Sequence, residues 1–114
     1  MNDCLFCKII AGDIPSTKVY EDEKVYAFRD INPQAPTHVL VIPKKHVASV
    51  AAVDELDDAD LAACLRACRL VAQSEGLTEK GFRVVSNCGD DACQSVKHLH
   101  FHVLGGRQMG EQMA

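Results

Sequence analysis

Near the C-terminus the chain reads His98-Leu99-His100-Phe101-His102-Val103-Leu104, polar and apolar residues alternating up to Val103. That period belongs to a β-strand, whose successive side chains face opposite ways. Leu99, Phe101 and Val103 are expected to face a core, with His98, His100 and His102 on the other face. Residues two apart on a strand lie roughly 6.5–7 Å apart, so the three imidazoles form one row. Only His38 and His46 occur elsewhere. A row of side chains whose protonation changes near neutrality points to proton transfer, nucleophilic attack or metal binding. The bland alternative is a polar strand face that happens to use histidine. Three of five histidines in five consecutive positions speak against it.

The rest of the chain must supply a core for that strand. Its 114 residues fit one domain, 1–114, able to bury roughly 65% of its unfolded surface. A net charge of −4 offers no basic field for nucleic acid or anionic lipid, so neither is an expected partner. Any bound nucleotide must be held by local donors. No apolar run reaches membrane-spanning length, and Met1-Asn2-Asp3-Cys4 lacks the basic and apolar parts of a secretion signal, so a cytoplasmic protein is expected.

Six cysteines would suit a disulfide scaffold in a secreted domain, but in a reducing cytosol they must be sorted singly. Cys64 and Cys68 stand four apart in a helical pattern and read as small core residues. Cys88 and Cys93 fall in a polar loop. Cys4 and Cys7 form a CxxC on a short helix predicted over Cys4–Ala11 and stopped by Gly12. A redox CxxC normally follows a strand, for which there is no room here. Zinc is the better functional reading, and simple packing of the two thiols is the alternative.

Strands are predicted at Lys18–Tyr20, Val25–Phe28, His38–Ile42 and Phe82–Asn87, with Asp30–Pro36 as a proline-broken loop. Asp54–Glu75 reads as one long helix. Asp54 is its N-cap, Glu55, Asp57 and Asp58 favour its positive end, and Gly76 stops it. Its apolar stripe is Leu61, Cys64, Leu65, Cys68, Val71 and Ala72. The expected fold is α+β: an antiparallel sheet of about five strands with one short N-terminal and one long helix. No GxGxxG or P-loop motif is present.

His-x-His-x-His followed by two apolar residues resembles the histidine triad (HIT) superfamily. The Hint branch of nucleotide-binding proteins is matched by further stretches, in order. They are Phe6 with Lys8-Ile9-Ile10, Ile14-Pro15, Phe28-Arg29-Asp30-Ile31, Pro33-Gln34-Ala35-Pro36-Thr37-His38, Ile42-Pro43-Lys44-Lys45-His46, Gln94-Ser95-Val96 and Gly105-Gly106-Arg107-Gln108-Met109. The resemblance implies a hydrolase of purine nucleoside 5′-phosphoramidates, conjugates of AMP or GMP, acting as a homodimer. Its alternatives are a nucleotide-binding regulatory protein, a dinucleoside polyphosphate hydrolase, or a metalloenzyme with zinc on the triad itself.

By motif position, His100 is the implied nucleophile, a role suited to a neutral imidazole that can attack phosphorus and depart again. His102 is the implied phosphate and proton partner, His98 the group that orients His100, and His38 a relay histidine behind the triad. Asp30 matches the ribose-binding carboxylate, and Ile31 with Phe6 and Phe28 the apolar slot for the base. Asn87, the backbone of Cys93 and Gln94, and Ser95 match the phosphate loop, Ser95 also facing the leaving group. Cys93 stands where the family usually has glycine, and the tail Gly110-Glu111-Gln112-Met113-Ala114 lacks the family's Trp-Pro-Pro-Gly ending. Cys4 and Cys7 resemble those of zinc-binding bacterial-type members, in which His46 and His98 complete a closed structural Cys2His2 site, with no metal needed for catalysis.

Overall fold

A computed structural model of the chain describes residues 3–113. Five strands form one antiparallel sheet: β1 (Lys18–Glu21), β2 (Val25–Arg29), β3 (Thr37–Pro43), β4 (Phe82–Val85) and β5 (Phe101–Gly105), in the order β1-β2-β3-β5-β4. A short helix, α1 (Leu5–Ile10), lies on one face of the sheet and a long helix, α2 (Asp58–Ser74), on the other. This is the expected α+β architecture.

The central strands are apolar on both faces because both faces are covered. Val25, Ala27, Val39, Val41, Phe101 and Val103 pack beneath Cys64, Ala67, Cys68 and Val71 of α2. Tyr26, Phe28, Leu40 and Ile42 point the other way and meet Phe6 and Ile9 of α1. Burial pushes the Cys64 and Cys68 thiols up to about 12, which leaves them protonated, inert core groups.

Three expectations need correction. The long helix does not begin at Asp54. Val50–Glu55 is a separate 3-10 turn capped by Ser49, whose Oγ accepts the Ala51 N–H. Leu56 then leaves helical geometry to bury itself in the core, and Asp57 is the N-cap of α2 without a side-chain capping bond. In the apolar stripe, Leu65 is 56% exposed and Ala67 is buried instead, because the face toward the sheet runs through Cys64, Ala67, Cys68, Val71 and Ala72. The stop at Gly76 is as expected: its φ of +73° lets Leu77 N–H reach the Ala72 carbonyl.

The third correction concerns the histidine row. Only Phe101–Gly105 belongs to the hydrogen-bonded ladder, which ends where Val41 pairs with Phe101 and Val85 with His102. His98–His100 run on beyond both neighbours, tied back by Leu99 N–H to the Val47 carbonyl. The alternation itself persists: Leu99, Phe101 and Val103 enter the α2-side core. The opposite face is not open to solvent, since His98 and His100 are buried under α1.

Candidate functional site

Because residues 98–100 outrun the ladder, backbone groups there serve side chains instead. His98 Nε2–H donates to the Pro43 carbonyl at 2.8 Å, and proline ends β3 at that point. The His98 carbonyl in turn accepts from His100 Nδ1–H at 2.7 Å. Ser86 Oγ donates to the His100 carbonyl at 2.8 Å. The two bonds made by ring nitrogens each fix a tautomer, because a carbonyl can only accept. His98 keeps its Nδ1 lone pair and His100 its Nε2 lone pair, as a metal ligand and a nucleophile respectively require.

A second chain of bonds fixes the other two rings. On β3 and β5, Leu40 stands opposite His102 and Leu104 opposite His38, so the two histidines are diagonal neighbours on one face. The Gln34 backbone N–H donates to His38 Nδ1 at 3.0 Å, which puts the His38 proton on Nε2. That N–H donates to His102 Nδ1 at 2.8 Å. The His102 proton is therefore on Nε2, a buried atom with no partner among the described residues. Asp30 Oδ2 lies 3.4 Å from His38 Nε2. The rings of His100 and His102 meet edge to face, centroids 5.1 Å apart.

Burial holds all four imidazoles below their ordinary range. It takes His98 and His102 down to about 4, neighbouring histidines adding to the effect, and lowers His100 and His38, with Asp30 opposing. At neutral pH the site therefore presents neutral rings with defined lone pairs.

Cys4, Cys7, His46 and His98 bring four donor atoms within 4.8 Å of one another. His98 Nδ1 is 3.4 Å from Cys4 Sγ, 3.6 Å from Cys7 Sγ and 3.1 Å from His46 Nδ1, and Cys7 Sγ is 3.5 Å from His46 Nδ1. A tetrahedral zinc with bonds of about 2.3 Å to sulfur and 2.0–2.1 Å to nitrogen has edges of about 3.5 Å (N to S) and 3.3 Å (N to N), so the donor set fits that ion. Asp30, His38 and His102 form a second close group, but its chemistry differs. The Gln34 N–H keeps His38 Nε2 protonated, as a proton relay requires and a metal ligand does not.

Phe6 and Phe28 are buried core residues, each 5% exposed and in edge contact with each other. Phe6 also supports the His98 and His100 rings, whereas Ile31 is 92% exposed at the end of β2. Asn87 is half-buried beyond β4, and Ser95 is exposed in an open cleft with His46, Val96 and Lys97. One expectation fails in the loop. The backbone N–H groups of Cys93 and Gln94 do not stand open to an anion: they donate to the Asp90 and Gly89 carbonyls, closing the turn. The Gln94 side chain is an internal brace, bonded to Ala48, Val96 and Gly89. Gln34 N–H, the Pro43 carbonyl and Ser86 were not expected from the sequence. The first two are backbone groups without a side-chain signature.

The family model for the HIT domain matches residues 11–109. The chain is 56% identical over 107 residues to the 14 kDa zinc-binding protein of Zea mays, covering 92% of this chain and 83% of that one. It is 41% identical over 112 residues to the purine nucleoside phosphoramidase of Escherichia coli (strain K12), covering 98% and 94%. Among solved structures, a HIT family hydrolase from Clostridium thermocellum superposes with a TM-score of 0.95 at 48% identity, covering 100% of this chain and 99% of that one.

Proposed function

The chain belongs to the HIT family, and from that premise we propose that it hydrolyses purine nucleoside 5′-phosphoramidates through a nucleotidyl-His100 intermediate. The observation that carries this reading is the pair of opposed tautomers. His100 presents a lone pair at Nε2 while His102, beside it, presents a buried N–H at Nε2.

In the first step His100 Nε2 attacks the α-phosphorus and the P–N bond breaks. Its electron pair leaves with the amine nitrogen, which takes the Nε2 proton of His102 in its imidazolium form, the ring having first gained a proton from water at Nδ1, so that His102 ends this step neutral. The substituted His100 ring gains positive charge, which its Nδ1–H shares with the His98 carbonyl. Water then attacks phosphorus and gives a proton to His102 Nε2. The bond to His100 breaks, leaving nucleoside monophosphate, a neutral His100 and His102 again as imidazolium. Asp30 holds the ribose hydroxyls, Ile31 offers an exposed apolar surface to the base, and the phosphate is held by His102, Asn87 and Ser95, Ser95 facing the leaving group.

Cys4, Cys7, His46 and His98 would hold zinc as a closed structural site. It would tie α1 to the sheet and leave the catalytic steps to the histidines. The apolar Phe82 and Val84 on the edge strand β4, each 38% exposed, support a homodimer. A cytoplasmic setting accords with a Cys pair kept reduced for metal.

The expected consequence of His100→Ala is a loss of at least about a thousandfold in kcat on adenosine 5′-phosphoramidate with nucleotide binding retained. Retained turnover would refute the assignment. A panel including guanosine phosphoramidates and dinucleoside polyphosphates then ranks substrates.

A further inference from the structure

We propose that Asp30, besides meeting the ribose, is a positioning residue of the proton relay, acting through His38 to favour the protonated form of His102 that delivers a proton to the leaving group. This inference rests on the phosphoramidase reading above. Its geometry is specific. Asn32 N–H donates to Asp30 Oδ1 at 2.8 Å, which pins the carboxylate, and the other oxygen, Oδ2, faces His38 Nε2 at 3.4 Å. His38 Nε2–H therefore has two acceptors within reach, His102 Nδ1 at 2.8 Å and Asp30 Oδ2.

These two acceptors define two proton arrangements. When His38 donates to His102, the pair is neutral and no further proton fits between the rings. When His38 turns its N–H toward Asp30, His102 Nδ1 is released to take a proton, and the ring becomes an imidazolium with Nε2–H directed into the site. A departing amine draws its proton more readily from that form. His38 cannot host the extra proton at Nδ1, because the Gln34 N–H already points there. The groups facing the pair are Asp30, from the end of β2, and His100, beside His102 on the same strand; burial disfavours the charged form and Asp30 is the one group that favours it. With the carboxylate replaced by a neutral amide, the second arrangement loses its counter-charge.

The test separates this role from ribose binding by removing the ribose hydroxyls. The substrate is 2′,3′-dideoxyadenosine 5′-phosphoramidate, with Asp30→Asn, His38→Ala and the double variant. Asp30→Asn should lower kcat on this substrate about tenfold or more and move the alkaline limb of the kcat profile to lower pH by about one unit. The same change should have little added effect in His38→Ala, and Asp30→Glu should recover part of the loss. An Asp30→Asn kcat within twofold of wild type on the dideoxy substrate, with an altered KM only on the ribonucleotide, would overturn the inference. Ring nitrogen shifts of 15N-labelled His38 and His102 read the same coupling without turnover. In Asp30→Asn the pair should titrate at lower pH than in wild type, and an unchanged titration would overturn the inference. Absence of phosphoramidase activity in the wild type would instead defeat the underlying functional reading, leaving the nitrogen shifts to decide the relay.

Discussion

Cys93 shows how one residue can depart from a pattern without changing the backbone. It adopts φ 60° and ψ 38°, the left-handed conformation, at the end of the Asp90–Ala92 turn. Gln94 N–H bonds to the Gly89 carbonyl and Cys93 N–H to the Asp90 carbonyl, the closure that normally places glycine at this position. The loop thus keeps the shape glycine would give it, at the cost of left-handed strain in a residue with a Cβ. Cys93→Gly should stabilise the fold by up to about 1 kcal/mol, strain relief outweighing the entropy of an extra glycine, as urea denaturation can measure. A loss of stability would contradict this account. Gly106 is the converse case. It has φ +96°, and an added Cβ would lie 2.9 Å from Pro36 Cβ, so Gly106→Ala should cost about 2 kcal/mol in the same assay.

At the scale of elements, α1 has six residues and is too short to be stable alone. Phe6 and Ile9 anchor it in the core, and Cys4, its N-cap, and Cys7 share the donor cluster with His46 and His98. Purified protein should carry about one zinc per chain. Chelation, or Cys7→Ser, should lower Tm and speed amide exchange across residues 5–10 more than across β3. Exchange that ignores zinc content would contradict a tie between helix and sheet. These elements differ in how legible they were in the sequence. The alternation from His98 to Val103 correctly assigned each side chain to a face: ahead of the ladder, Leu99 still enters the α2-side core while His98 and His100 meet Phe6 on the other side. It did not show where pairing stops, since that depends on Pro43 and Val85 across the sheet. Likewise the helical pattern after Asp54 could not reveal the break at Leu56, whose burial is decided by tertiary packing.

For the molecule as a whole, the histidine face is an interior one. Four histidines that read as a polar strand face and a flanking residue lie partly or wholly beneath α1 and the loop after β2. The sequence carried their chemistry through residue type and order, whereas their tautomers depend on backbone groups of Gln34, Pro43 and His98 that no side-chain motif encodes. Burial of neutral histidines has a consequence for stability. The unfolded chain takes up protons below about pH 6.5, while folded His102 does so only near 4. Its contribution is therefore fully present above about 6.5 and is lost as pH falls toward 4, on the order of 1–2 kcal/mol once solvent screening of the partly exposed ring is allowed for. Urea denaturation at pH 7 and 4.5 should show that drop, and equal midpoints would contradict it.

The central claim is that His100 forms a covalent bond to the nucleotide's phosphorus. Wild-type protein mixed with adenosine 5′-phosphoramidate, quenched within milliseconds and digested under mildly alkaline conditions, tests it directly by mass spectrometry. The account predicts a mass increment of one adenylyl group on the peptide containing His98–His102, localised to His100 by fragmentation, and absent from His100→Ala. Turnover with no adduct at any quench time, or an adduct on His98 or His102 instead, would contradict it.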